Sequence, residues 1–404
     1  MNILWGIMGI LFVLFLGFLL SQRKKFINLR VIAGGLAFQI LFAFIVLKSE
    51  TGRAALAGLT AGVQSVIDNA NEGIAFLFGD LLLLEGVGNV FAFQVLPIII
   101  FFSSLIGVLY YLGIMQWFVK IIGGILSFIL GTSKAESVSA AANIFVGQTE
   151  APLVVRPYLG KMTKSELFTV MTGGLASVAG SVLFGYASLG IPLNYLLAAS
   201  FMAAPAGLVM AKVMMPETEE SVTTDDIKIE KDTESQNVID AAARGASTGL
   251  QLALNVGAML LAFIALIAVI NSLLTWVGGW IGFENLTLEL ILGFLFAPIA
   301  FMVGVPWGEA LQAGSFIGQK LVLNEFVAYA SFAPQMEQFS ERAQVIITFS
   351  LCGFANLGSM AVILGGLGSL IPSRRKELAQ LGLRAIAGGA LASLLSAAIA
   401  GMFI

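Results

Sequence analysis

Seven uncharged, apolar runs punctuate the chain, at residues 3–21, 31–47, 86–119, 167–211, 245–283, 343–373 and 385–404. A helix needs about 20 apolar residues to cross the hydrocarbon of a bilayer, so each run predicts at least one crossing. Gly190-Ile191-Pro192 interrupts the fourth run and divides it into two helices. The pattern therefore predicts an all-α polytopic membrane protein with about eight crossings. Residues 54–84 differ. Leu56, Leu59, Val63, Val66 and Ile67 recur at helical spacing, but Asp68, Asn69, Asn71, Glu72 and Asp80 share the stretch. That is the pattern of a helix lying in the interface; a tilted extra crossing is the alternative and would invert everything after it.

Two stretches, 134–164 and 305–342, are too rich in Gly, Ala and polar residues to face lipid as single helices. They predict re-entrant hairpins. The first carries Glu136, Ser137 and Ser139, then Gly147-Gln148-Thr149-Glu150; the second carries Glu309 and Gln312, then Asn324-Glu325. Each is followed by a Ser-Glu pair, Ser165-Glu166 and Ser340-Glu341, and then by a helix interrupted by small and polar residues. The interruptions are Gly173-Gly174-Leu175-Ala176-Ser177 and Gly353-Phe354-Ala355-Asn356-Leu357-Gly358-Ser359, both candidate unwound turns. Unwinding frees backbone polar groups, which hydrocarbon does not tolerate unless protein, water, ion or ligand satisfies them. Counting crossings makes the two halves inverted, the build of transporters that alternate access around broken helices near the midplane.

Charge orients the chain. Basic residues cluster at Arg23, Lys24, Lys25 and Arg30, at Lys120 and Lys134, at Lys161 and Lys164, and at Arg374, Arg375 and Lys376. Their parity predicts both termini outside and residues 216–240 in the cytoplasm. Glu217, Glu219, Glu220, Asp225 and Asp226 then make a solvated acidic loop between the halves. The first basic cluster follows the first apolar run, which favours a retained helix over a signal peptide.

Composition narrows the chemistry. Of 404 residues 58% are hydrophobic and 11% charged, with no histidine and the single Cys352. Ser-His and Cys-His catalysis, imidazole metal sites and disulfide frames are therefore excluded. A net charge of −3 without a basic face gives no reason to expect nucleic acid. Carboxylates at membrane depth cost roughly 2.5–3.5 kcal/mol on insertion scales. Glu150 and Glu325 therefore need a partner or a task. Arg156 is a possible partner for Glu150, whereas Lys320 is the one basic residue close to Glu325.

Gly147-Gln148-Thr149-Glu150-Ala151-Pro152-Leu153, Asn324-Glu325-Phe326-Val327-Ala328-Tyr329 and Gly353-Phe354-Ala355-Asn356 resemble the signature segments of concentrative nucleoside transporters. Residues 139–146 and 365–369 extend the likeness, which matches the shorter bacterial form with eight crossings. The resemblance implies a homotrimer in the bacterial inner membrane that carries nucleosides such as uridine or adenosine inward with Na⁺, by an elevator motion. It implies scaffold and interfacial helices in 1–119, a first transport half in 120–215, a long scaffold helix in 241–283 and a second transport half in 284–404. The base would meet Gln148, Thr149, Glu150 and Val182; the ribose would meet Glu325, Asn356, Ser359 and Phe354. Sodium would lie among Asn143, Val146, Ser177 and Val178, and no organic cofactor is implied. Amides, hydroxyls and carboxylates complement base edges and vicinal sugar hydroxyls. Gly358 and Val182 leave the preference for purine or pyrimidine open. The readings in competition are a proton-coupled nucleoside symporter, an intramembrane transferase using Glu150 and Glu325 as acid and base, and a channel.

Overall fold

The computed structural model describes residues 2–79, 81, 90–221, 223, 227, 235–280, 282–283 and 285–404. Asp80, the start of the third apolar run at 86–89, and Asp225 and Asp226 of the acidic loop lie outside the described residues. Every regular element among the described residues is helical: α1 (Asn2–Leu19), α2 (Leu29–Ala43, extended by a π turn Phe44–Lys48), α3 (Glu50–Phe78), α4 (Phe91–Tyr111), α5 (Ile114–Leu130), α6 (Lys134–Ala142), α7 (Arg156–Leu159), α8 (Lys164–Ala176) and α9 (Gly180–Ser188). There follow α10 (Leu193–Met214), α11 (Val238–Trp280), α12 (Leu288–Met302), α13 (Trp307–Val322), α14 (Glu325–Phe332), α15 (Glu341–Leu351), α16 (Ser359–Leu370) and α17 (Arg375–Ala400).

Hydrogen bonds between distant elements define two ends of the molecule. At one, Asn2 Nδ2 donates to the Ile404 carbonyl at 2.7 Å, and Arg342 donates to Asn2 Oδ1 at 2.8 Å. At the other, the Gln22 N–H donates to Met214 O at 3.0 Å, and Arg374 Nη1 donates to Met162 O at 2.6 Å. Helix α2 returns to the terminal end, where the Phe44 and Phe403 rings are 5.8 Å apart. Helix α4 starts beside the end of α3, with Phe78 and Phe93 at 4.9 Å, and runs to Tyr111, whose hydroxyl donates to Gln236 O at the opposite end. Helix α3 thus begins and ends on one side, as the interfacial reading of 54–84 requires.

The third apolar run is not a single element. Gly113 has φ +80°, a left-handed conformation open to glycine, and it turns the chain after α4. Helix α5 then lies along the first hairpin through Met115, Val119, Gly123, Leu126 and Leu130. A Cβ at Gly123 would stand 2.8 Å from the Val138 Cα. Arg30 donates to Phe128 O at 2.7 Å, so α5 begins and ends on the side away from the termini. Its counterpart α12 lies in a stretch that the run pattern left unassigned. It meets α13 at a bend of 117°, which marks a turn-back and not a crossing.

The crossings are α1, α2, α4, α8 with α9, α10, α11, α15 with α16, and α17. All but α15 with α16 are long and apolar enough to be recognised by length and hydropathy. The pair α15 and α16 begins beside Asn2 and ends beside Arg374, which makes it the eighth. Crossing spans differ in exposure: 89% of the α8–α9 and α10 windows is buried, against 22% for α4 and 17% for α11. The first two form the interior; α4 and α11 offer their apolar surface to lipid or to other chains. The order span, oblique helix, hairpin, broken helix, span occurs twice, as α4–α10 and α11–α17. Helix α4 runs away from the termini and α11 toward them, since Trp5 Nε1 donates to Phe301 O at 2.9 Å at the end of α12. The repeat is therefore inverted, and the two hairpins open to opposite sides.

Candidate functional site

The first hairpin starts at a capping box in which Ser133 Oγ accepts from Glu136 N and Glu136 Oε1 accepts from Ser133 N at 2.8 Å. A second box, Thr163 with Glu166, starts α8. Lys212 joins their bases: its Nζ is 2.7 Å from Glu136 Oε2 and 3.3 Å from Glu217 Oε2. Glu217 is therefore not a solvated member of the acidic loop. Ser221 and Thr223, further along, donate to Glu166 Oε1, each at 2.5 Å. Glu219 and Glu220 are exposed.

Between α6 and the turn Ala151–Val155, residues 143–150 form the hairpin tip. Its carbonyls are held from other elements: Gly180 N–H donates to Phe145 O at 3.0 Å, and Ser200 Oγ to Ile144 O at 2.8 Å. The break in the helix behind it is displaced from where the glycines suggested. Gly173 and Gly174 stay inside α8, and the chain extends only at Ser177, with φ −117° and ψ 176°. The glycines serve close approach instead: a Cβ at Gly174 would lie 2.9 Å from Gln148 Cβ.

The four residues of the sodium set are all buried around this joint. Asn143 Nδ2 donates to Ser139 O at 3.0 Å, while its Oδ1 is buried without a donor. Ser177 Oγ donates to Gly173 O at 3.3 Å, and Val146 and Val178 lie on the tip and in the break. An amide oxygen lacking a donor, beside the carbonyl end of a helix, fits an uncharged oxygen cage for a small cation.

The ribose set gathers into one cluster. Glu325 Oε1 accepts from the Tyr186 hydroxyl at 3.0 Å, and Oε2 accepts from Asn356 Nδ2 at 3.2 Å. Asn356 Oδ1 accepts from Ser359 N at 2.9 Å, and Ser359 Oγ donates to Phe354 O at 2.5 Å. The Phe354 N–H donates to Ser177 O at 3.1 Å, so the two helix breaks are bonded to each other. Gly353 permits the crossing: a Cβ there would lie 2.9 Å from Ala176 O.

The base set is dispersed. Gln148 packs on α8 with Oε1 buried and unpartnered, and a Cβ on Gly366 of α16 would stand 2.7 Å from Thr149 Cγ2. Val182 is buried on α9. Glu150 is exposed, accepts from Gly147 N at 3.4 Å, and forms no ion pair with Arg156 among the described residues. Glu150 and Arg156 instead line a cavity of about 410 Å³, together with Ser103 and Tyr110 of α4 and Arg244 and Thr248 of α11. That size is ordinary for a small-molecule site. None of the ribose set lines it.

One residue of the site escaped the sequence reading. Tyr186 stands four residues after Val182, one turn along α9, and that spacing was the available signal. Lys320, the basic residue close to Glu325 in the sequence, forms no ion pair with it and donates to Ser350 O at 2.7 Å and Ser393 Oγ at 3.0 Å.

Family models described as "Na+ dependent nucleoside transporter" N-terminus and C-terminus match residues 8–81 and 195–401, and one described as "Nucleoside recognition" matches 92–193. The "Uncharacterized transporter YutK" of Bacillus subtilis is 60% identical over 405 residues, covering 100% of each chain. "Nucleoside permease NupC" of Helicobacter pylori is 51% identical over 411 residues, covering 99% of this chain and 98% of the relative. The solved structure of CNTnw in an inward-facing substrate-bound state superposes with a TM-score of 0.95 at 53% identity, covering 100% of this chain and 98% of that one. Structures of CNTnw variants in outward-facing and intermediate states match as well, at TM-scores of 0.94–0.96. These relatives are transporters and permeases, which sets the transferase reading aside. The chain belongs to the concentrative, Na⁺-dependent nucleoside transporter family and is a nucleoside transporter, not an enzyme.

Proposed function

We propose that the protein couples inward movement of a nucleoside, such as uridine or adenosine, to movement of Na⁺ down its gradient, by carrying both on a body that slides against a fixed scaffold. The observation that carries this reading is the hydrogen bond from Phe354 N–H to Ser177 O. It ties the break beside the cation set to the break that bears the ribose set. An ion that orders residues 143–146 and 177–178 then orders Phe354, Asn356 and Glu325 with them. Coupling of this kind is reciprocal, so ion and nucleoside strengthen each other's binding by the same factor.

In this reading Glu325, Asn356 and Ser359 receive the ribose hydroxyls beside Phe354, and the nucleoside takes over the bonds that Tyr186 and Asn356 give to Glu325. Gln148, Thr149 and Glu150 take the base edge, with Val182 as an apolar wall. Asn143 Oδ1, Ser177 Oγ and the carbonyls of Val146 and Val178 hold Na⁺, which travels as cargo. The scaffold comprises 1–119 and 241–283; 120–215 and 284–404 make the moving body, and 216–240 links the two on the cytoplasmic side. Both termini face outward, in a bacterial inner membrane. Three copies assemble through scaffold faces such as those of α4 and α11, whose apolar exposure supports that role. The solved states of CNTnw, inward-facing, outward-facing and intermediate, support alternating access.

Calorimetric titration of uridine into purified protein tests the coupling. Replacing Na⁺ by choline at fixed pH should weaken uridine binding by roughly 5–150-fold, the usual span of a coupling energy. Asn143→Ala should abolish that difference. Equal affinity in the two salts would refute sodium coupling and leave nucleoside transport standing.

A further inference from the structure

Lys320 is 1% exposed on α13, in the second hairpin, and it pairs with no carboxylate among the described residues. Its two partners are neutral oxygens: Ser350 O at 2.7 Å and Ser393 Oγ at 3.0 Å. Ser393 Oγ in turn lies 3.4 Å from Cys352 O, at the first residue of the break. The ammonium thus sits against the C-terminal end of α15, where helix carbonyls lose their partners and the helix dipole is negative. A buried cation among neutral oxygens is costly, and packing alone does not call for one.

The first half has the same place without the charge. The C-terminal end of α8 meets Asn143, which stands seven residues before Glu150 as Lys320 stands five before Glu325. There Asn143 Oδ1 has no donor. No Lys or Arg occurs in residues 135–155 or 165–211; the lysines these elements do carry, Lys134, Lys164 and Lys212, stand at the outer ends of α6, α8 and α10 and leave the tip and the break without a tethered cation. One break is thus met by a tethered ammonium and the other by an oxygen set open to an ion.

We infer that the Lys320 ammonium is the built-in counterpart, in the second half, of the cation that the first half takes from solution. It is a positioning residue. By satisfying the end of α15 it fixes the break that carries Phe354 and Asn356, and it keeps free Na⁺ out of the second half, so that one half alone contributes an ion to coupling. This inference rests on the sodium reading above.

The test is uridine uptake by reconstituted full-length protein as a function of Na⁺, with choline as replacement, for the wild type, Lys320→Ala and Lys320→Met. Thermal melting in detergent checks that each variant is folded. Wild-type uptake should rise hyperbolically with Na⁺. Lys320→Ala opens the oxygen site: uptake should be at least roughly tenfold lower at low Na⁺, recover at high Na⁺, and become sigmoidal with a Hill coefficient approaching about 2. Lys320→Met fills the site with a group that neither ligates Na⁺ nor carries charge, so uptake should stay low at every Na⁺ concentration. Wild-type behaviour of Lys320→Met, or a hyperbolic response in Lys320→Ala, overturns the inference while sodium coupling of the wild type stands. Wild-type uptake without any Na⁺ requirement removes the sodium reading and this inference together. If neither Lys320 variant folds, Ser393→Ala decides. It removes one oxygen and keeps the ammonium, so uptake should fall severalfold with a hyperbolic Na⁺ response, and unaltered uptake overturns the inference.

Discussion

The two hairpins follow one plan and differ in how much of their polar surface is already satisfied. In the second, the chain turns sharply at Leu323 and Asn324, Asn324 Oδ1 caps α14 by accepting from Val327 N at 2.8 Å, both Glu325 oxygens have donors, and Lys320 closes the end of α15. In the first, residues 143–150 make a longer irregular tip, and Asn143 Oδ1 and Gln148 Oε1 are buried with no donor. Buried polar groups in folded proteins are nearly always paired, so two orphans on one tip fit the cargo site proposed there. The contrast teaches that an inverted repeat need not divide its work evenly. In the proposed function the second hairpin, already satisfied and so prewired, presents the ribose groups, and the first is incomplete until its cargo arrives.

The prewired half should be the more sensitive to substitution at its centre. Glu325→Gln leaves the shape but replaces charge-assisted hydrogen bonds worth roughly 1.5–3 kcal/mol. Uridine uptake should fall about ten- to a hundredfold, whereas a nucleoside without 2′ and 3′ hydroxyls should be a poor substrate for the wild type as well. Wild-type uptake of that analogue as fast as of uridine would remove the ribose assignment. Next in size is the joint between the halves. Gly353→Ala puts a Cβ 2.7 Å from Ser393 Oγ and 2.9 Å from Ala176 O, neither of which can retreat freely. Overpacking of this kind costs roughly 1–3 kcal/mol, so thermal melting in detergent should drop by several degrees and Na⁺ should lose its effect on uridine affinity. A variant that melts and couples like the wild type would mean the breaks do not communicate through this contact. The smallest effect belongs to Tyr186→Phe. In the proposed function the Tyr186 hydroxyl donates to Glu325 Oε1 only until the ribose arrives, so uridine affinity should change by less than about tenfold, in either direction. A loss as deep as that of Glu325→Gln would make Tyr186 a ligand in its own right.

Much of this architecture was legible because hydrocarbon punishes ambiguity. Long uncharged runs gave the crossings, and the polar stretches 134–164 and 305–342 gave hairpins of opposite sense. What stayed hidden was decided by contacts instead of composition. Helices α4 and α5 share one charge-free run, and only the left-handed Gly113 parts them. Helix α12 is short, carries Glu289, and owes its position to packing on α13, where a Cβ on Gly314 would lie 2.5 Å from Ala297 N. The glycines of α8 suggested a break, yet they mark where Gln148 presses on the helix. The unwinding comes at Ser177, whose carbonyl is taken by a residue far away in sequence. Within the site, Glu325, Asn356 and Ser359 were recognisable from their motifs and do meet. Tyr186 and the target of Lys320 depend on which helices become neighbours, which no local pattern records.

Sodium coupling is the central claim. Purified protein in proteoliposomes, preloaded with choline and diluted into Na⁺ at equal pH on both sides, should accumulate labelled uridine above the external concentration. The same vesicles given an inward proton gradient without Na⁺ should not. Accumulation driven by the proton gradient, together with uptake indifferent to replacing Na⁺ by choline, would contradict it.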